Sequence, residues 1–137
     1  MIDEVDALRR QSQAARDAGR TDEAVALQQQ AVDLLRDDDD PARLAHALRH
    51  VGDILREAGR ADEAAPWIIE MLTLYRTLPD APALDMANAI RSAALQAEAD
   101  GRPDPALWHE ARERYDAVGI GPGVAEADRH IAALAAG

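Results

Sequence analysis

The chain contains no cysteine, no phenylalanine and no lysine, and its 137 residues include only two tryptophans and two tyrosines. Without cysteine there is no disulfide, no thiolate zinc site and no thiol nucleophile, so nothing points to an oxidising compartment or to cysteine redox chemistry. With lysine absent, all 15 cationic side chains are arginines, and against 26 Asp and Glu they leave a formal net charge of −11. That balance argues against nucleic acid, whose binding rests on cations neutralising phosphates. Arginine in place of lysine, beside abundant alanine, is read as genomic base composition rather than as function. No window reaches the roughly 18 apolar residues of a membrane span. The opening Met1-Ile2-Asp3-Glu4-Val5-Asp6 is acidic where a secretory leader is basic. A cytoplasmic protein with neither nucleic-acid nor membrane partners is expected. Alternating β-branched runs are missing too, which removes the signal for strands.

What is present is a repeat. Gly19-Arg20-Thr21-Asp22-Glu23-Ala24 returns as Gly59-Arg60-Ala61-Asp62-Glu63-Ala64 and, more loosely, as Gly101-Arg102-Pro103-Asp104-Pro105-Ala106, at spacings of 40 and 42 residues. Self-similarity of this period marks stacked units that bury their apolar faces only against one another. The chain therefore reads as one all-α domain over residues 1–137, with repeats at about 2–40, 41–79 and 80–119 and a capping helix over 124–135, seven helices in all.

Each repeat parses into two helices, A and B. The first A helix, from Ile2 to Ala18, places Val5, Leu8 and Ala15 at helical spacing and stops at Gly19. Thr21 or Asp22 is expected to cap a B helix with Ala24, Val25, Leu27, Ala31, Val32, Leu34 and Leu35 inward. The run Asp37-Asp38-Asp39-Asp40 lacks the glycine and the later glutamate of a calcium loop and is read as a solvated turn. Asp40-Pro41 then starts a helix over 42–58 with Leu44, Leu48, Val51, Ile54 and Leu55 inward. A B helix follows over 62–77, an A helix over 83–100 through Leu84, Ala87, Ile90, Ala94 and Leu95, and a B helix from Asp104-Pro105 holding Leu107, Trp108, Ala111 and Tyr115. Gly119-Ile120-Gly121-Pro122-Gly123 reads as a final break, and Glu126, Asp128, Arg129 and His130 as the polar side of a cap.

Helix, glycine turn, then a helix opening on Glu-Ala resembles the tetratricopeptide repeat in a long, 40 to 42 residue variety, over essentially the whole chain. The resemblance places the family's small mid-helix residue on Ser12, Gly52 and Ala94, and the small residue opening helix B on Ala24 and Ala64. It implies a right-handed superhelical stack of three hairpins plus the cap, and a role in binding proteins or peptides. In the third copy Tyr115, Ala111 and Trp108 align with Tyr75, Met71 and Ile68, which leaves about two residues missing after Gly101, so Ala106 need not match Ala64.

The resemblance also implies a concave wall of A helices lined by Asp6, Arg9, Gln13 and Arg16, then His46, Arg49, Asp53 and Arg56, then Asn88, Arg91, Leu95 and Glu98. Arg9, Arg49 and Arg91 share one place in each hairpin, which would suit an acidic or phosphorylated peptide because guanidinium binds carboxylate and phosphate through two donors. Against this, Arg49 and Arg56 stand four and three residues from Asp53 and can pair with it along their own helix. The carboxylate clamp of chaperone-binding repeats is not reproduced, since Asn88 and Ser92 stand where it needs cations. His46 and His50 lie one turn apart with Asp53 beyond, but no further strong ligand follows, so no metal and no cofactor is assigned. Nothing combines a nucleophile with a base, and no enzymatic activity is expected.

The register set by the glycine turns exposes one anomaly. Helix B of the second repeat has Pro66, Trp67, Ile68, Ile69, Glu70, Met71, Leu72 and Thr73 where the first has Ala26, Leu27, Gln28, Gln29, Gln30, Ala31, Val32 and Asp33. With Ala64, Ile68, Met71, Leu72 and Tyr75 inward, Ile69 and Trp67 are expected to face solvent beside Pro66, Glu70 and Thr73. The alternative buries Trp67 between hairpins. An exposed Trp-Ile pair is a contact patch for a second copy or another folded subunit. Its confinement to one repeat is also what an engineered interface on a natural scaffold would look like.

Overall fold

Seven α-helices and no strand make up residues 3–137, the part that the computed structural model of the protein describes. They are α1 (Glu4–Asp17), α2 (Thr21–Arg36), α3 (Pro41–Glu57), α4 (Ala61–Arg76), α5 (Ala83–Ala99), α6 (Pro105–Ala117) and α7 (Gly121–Ala136). The expected all-α chain of seven helices is what forms. The expected start of the first helix at Ile2 lies outside the described residues; within them Asp3 caps α1, its carboxylate accepting the Asp6 amide at 2.8 Å. Among the described residues no helix is long and apolar enough to cross a membrane.

Glycine closes the first helix of every hairpin in the same way. Gly19, Gly59 and Gly101 hold φ of 77°, 79° and 73°, a region other residues enter only with strain. The amide after each donates back to the last turn, Arg20 N to Ala15 O, Arg60 N to Leu55 O and Arg102 N to Ala97 O, at 2.8, 2.9 and 2.9 Å. These Schellman closures satisfy the helix-end carbonyls. They also correct one expectation: neither Thr21 nor Asp22 caps α2. The closure leaves a single residue between the glycine and the next helix, Arg20 or Arg60, at a cap position without a side-chain bond. Asp40 and Asp104, each followed by proline, are side-chain caps, accepting from Arg43 N and Ala106 N at 3.1 Å.

The same closure recurs once more, at Gly119 (φ 73°), with Ile120 N on Tyr115 O at 2.9 Å. The break expected over 119–123 falls instead at Val118, Gly119 and Ile120, and Gly121-Pro122-Gly123 form the first turn of α7. Proline loses nothing there because first-turn amides have no helical partner. Gly123 lies flat on the Tyr115 ring, where a Cβ would come within 2.4 Å of Cγ.

Helices pair as α1 with α2, α3 with α4 and α5 with α6, and each hairpin packs on the next through α2 against α3, α4 against α5 and α6 against α7. The core is continuous from Ala15 and Leu35 through Leu48, Val51, Ile68 and Tyr75 to Ile90, Trp108 and Tyr115. Trp108, Ala111 and Tyr115 are buried as Ile68, Met71 and Tyr75 are, while Ala106 is exposed where Ala24 and Ala64 are fully buried, because α6 starts late in its repeat. Two residues expected inward are not: Leu84, in the first turn of α5, is 43% exposed, and Leu34 is 39% exposed. Met86, Ala89, Ser92 and Ala93 are buried instead on α5.

The mid-helix small residue is where paired helices come closest. A Cβ on Gly52 would sit 2.3 Å from Ile68 Cδ1 and 2.6 Å from Cγ1, and Ser12 donates across its hairpin to Ala24 O at 2.8 Å. Gly52→Ala should therefore destabilise by about 1–3 kcal/mol through overpacking, offset by up to about 1 kcal/mol of helix propensity. In urea titrations, adding Ile68→Val to Gly52→Ala should cost less than Ile68→Val costs alone. Strict additivity would show that the contact is not the cause.

Candidate interaction surfaces

On the outer side of α4, Pro66, Ile69 and Thr73 are exposed, Ile69 at 66%. Trp67 does not face solvent as expected. It is half-buried against the core, in the place held by Leu27 and Leu107 in the neighbouring repeats. Glu70 is not free either, because it accepts both terminal nitrogens of Arg36 on α2 at 2.6 and 2.8 Å. Arg76, at the end of α4, makes the same bidentate pair with Glu110 on α6, at 2.6 and 2.6 Å. In both pairs the guanidinium hydrogen bonds hold the carboxyl below its usual range. Ile69 thus stands beside a carboxylate, Glu70, that is already paired. Pro66 lies inside α4, where a missing amide costs about 3 kcal/mol relative to alanine.

The A-helix positions do not form a row of free arginines. Asp53 is 5% exposed and takes Arg56 at 2.7 Å, Arg49 at 3.2 Å and the Ser92 hydroxyl, from α5, at 3.2 Å. Arg91 is bidentate on Glu126 of α7, with one contact at 3.0 Å. Gln13 donates to Asp17 at 2.8 Å, Arg16 pairs with Glu57, and Asp6 meets Arg43 at 3.3 Å. Of the three arginines in the column, Arg9 alone is exposed and without a carboxylate partner among the described residues. Asn88 accepts the Tyr115 hydroxyl at 2.6 Å. Its counterpart in the second repeat is His46, which turns edge-on to His50 at 4.5 Å and leaves the buried Tyr75 hydroxyl without a protein partner.

Burial, then the Arg49 charge, pushes the His46 imidazole down and the His50 imidazole down to about 3. His50 therefore takes a proton more readily in the unfolded chain than in the folded one. The stability its neutral form contributes is fully present above pH 6.5 and is lost as pH falls toward 3. Between pH 7 and pH 5, above the range where the depressed carboxyls titrate, unfolding free energy should fall by about 2 kcal/mol. Urea midpoints at the two pH values check this, and His50→Gln should remove most of the difference. No group of three His, Cys, Asp or Glu poised for a metal ion occurs among the described residues.

Three of the four polar residues expected on the outer side of α7 meet partners on other helices, and Arg129 alone is exposed without one among the described residues. Besides Glu126, Asp128 pairs with Arg112 at 2.6 Å, and His130 stacks on Trp108 with centroids 4.0 Å apart. Glu98 receives both Trp108 Nε1, at 3.0 Å, and His130 Nδ1, at 2.9 Å. Between α5 and α7 a cleft of about 530 Å³ opens beside Leu84, Asn88, Arg91, Pro122 and Arg129. A trace of these pairings was in the sequence: Arg36 and Glu70 recur as Arg76 and Glu110 one repeat later, and the reading by hydrophobic pattern passed over it. Glu126 and His130 had no such repeated signal. Comparison with known proteins found no family model and no curated sequence that matches the chain.

Proposed function

We propose that the chain is a non-catalytic protein-interaction module of the tetratricopeptide type, which assembles with itself or with another folded subunit through the outer surface of α4. The observation that carries this reading is Ile69, a large apolar side chain 66% exposed where the equivalent positions hold Gln29 and His109. Two neutral bidentate pairs flank it, so a partner can approach there without meeting the repulsion that a charge of −11 creates elsewhere. Pro66, exposed one turn earlier, disfavours the helix without filling the core, which fits a residue retained for contact. Light scattering of the wild type should give a mass above one 14.8 kDa chain, and Ile69→Lys should return it to that mass. A single-chain mass in both forms removes self-association.

A second reading is a receptor for an acidic or phosphorylated peptide along the A helices. It is favoured by the cleft between α5 and α7, where Arg129 is exposed and has no carboxylate partner among the described residues. A ligand there would compete with Glu126 for Arg91. Unchanged binding of an acidic peptide by Arg129→Glu would count against it.

A further inference from the structure

The end of the stack formed by α1 and α2 carries another surface, unrelated to α4. The 40-residue register shows what kind of surface it is. In the second repeat Glu70 faces the preceding hairpin, since it holds Arg36 of α2. Ala47 also faces it, its carbonyl accepting from Gln28 Nε2 at 3.5 Å. Leu74, one turn beyond Glu70, is half-buried against the core. The corresponding residues of the first repeat are Gln30, Ala7 and Leu34, and no hairpin among the described residues precedes them. Among the described residues no helix packs on this face. Leu34 is exposed there beside Leu8, in a shallow cleft of about 290 Å³.

The residues around Leu34 differ from their counterparts in one direction. Glu4, Asp33 and Asp37 stand where the second repeat has Leu44, Thr73 and Thr77, and all three line the cleft. None has a cation within ion-pair distance among the described residues, because Arg36, which lies near Asp33, is committed to Glu70. Every joint inside the stack sets a guanidinium against a carboxylate: Arg43 on Asp3, Arg60 on Asp22, Arg36 on Glu70, Arg76 on Glu110 and Arg91 on Glu126. Around Leu34 the α1/α2 end supplies the carboxylate half of such a joint and no cationic half; Arg20, the counterpart of Arg60, lies at the opposite end of α2.

We infer that this end is a docking surface for a basic amphipathic helix of another protein, whose apolar side covers Leu34 and Leu8 and whose Arg or Lys side chains meet Glu4, Asp33 and Asp37. Charge selects this occupant. A second copy placed about a twofold axis would set these carboxylates against themselves, an arrangement that like-charge repulsion disfavours. The probe is a fluorescein-labelled helical peptide of Ala, Leu and Arg with its arginines flanking a leucine stripe, compared by anisotropy with the same peptide carrying Glu for Arg. The Arg peptide should bind saturably and the Glu peptide should not. Leu34→Ser, and separately Asp33→Asn with Asp37→Asn, should each weaken binding roughly tenfold or more, as loss of about 1.4 kcal/mol requires. Glu113→Gln at the far end of the stack should leave it unchanged, and circular dichroism should show all variants folded. Absence of saturable binding overturns the inference. So does equal binding by every variant, which would mean general attraction to an acidic chain. Self-association abolished by Leu34→Ser, without peptide binding, would make the occupant a second copy and overturn it as well. None of these results depends on Ile69, so the α4 reading stands or falls separately.

Discussion

Trp108→Ala should lower the free energy of unfolding by about 3–5 kcal/mol, the range for removing a fully buried large aromatic, and should loosen α7 in particular. Trp108 is wholly buried, its indole N–H is bonded to Glu98, and its ring face carries His130. Helix α7 has a single fully buried residue, Ala127, so its docking relies on that ring and on the pairs of Glu126 and Asp128. Limited trypsin digestion should cut after Arg129 faster in the variant than in the wild type. Trp108→Phe keeps much of the volume but removes the indole N–H that the Glu98 carboxylate accepts, and should cost about 1–3 kcal/mol. A loss under 1 kcal/mol for Trp108→Ala, or unchanged cleavage at Arg129, would show that α7 is held by something else.

Asp53→Ala should cost about 3–5 kcal/mol, because it leaves two largely buried guanidinium groups without their counter-charge. Arg56 and Arg49 are 9% and 13% exposed at the side chain and both converge on Asp53, with Ser92 completing the cluster from α5. The cost lies in the stranded charge rather than in the ion pairs as such, since buried pairs can often be replaced by apolar groups at little loss. Replacing Asp53, Arg49 and Arg56 together by Leu, Met and Met should therefore recover most of the stability. Chemical denaturation of the single and triple variants separates the two accounts. A cost below 1 kcal/mol for Asp53→Ala would mean that water reaches the arginines.

The order of helices, their glycine closures and most of the core could be read from the chain because each rests on nearby residues. Gly19, Gly59 and Gly101 end helices wherever they are placed, since a left-handed closing residue is a local requirement. Asp40-Pro41 and Asp104-Pro105 start them for an equally local reason. Even Gly52 stood out by position, although the side chain it makes room for, Ile68, was identified only by the packing.

What carried over least was which side chains are free, although Ile69 is exposed and Arg49 and Arg56 pair with Asp53 as the sequence suggested. Arg91, Glu70, Asp128 and His130 looked like surface charges because hydrophobic periodicity distinguishes inside from outside but not paired from unpaired. Their partners lie on other helices, 34 to 35 residues away in the cases of Arg36 with Glu70 and Arg91 with Glu126. Trp67 looked exposed because one helix taken alone has an outer side. In the folded chain that side is in part packed against the core.

By itself, then, the sequence determined an all-α chain of seven helices with a 40-residue register, because capping, left-handed closure and helical periodicity act within a few residues. The tertiary structure alone decided which surfaces remain available. Stacking pairs seven of the fifteen arginines with carboxylates of another helix and covers Leu74 while leaving its counterpart Leu34 39% exposed. Burial and charge pairing depend on neighbours distant in the chain, and only the packing of one hairpin on the next brings those neighbours into place.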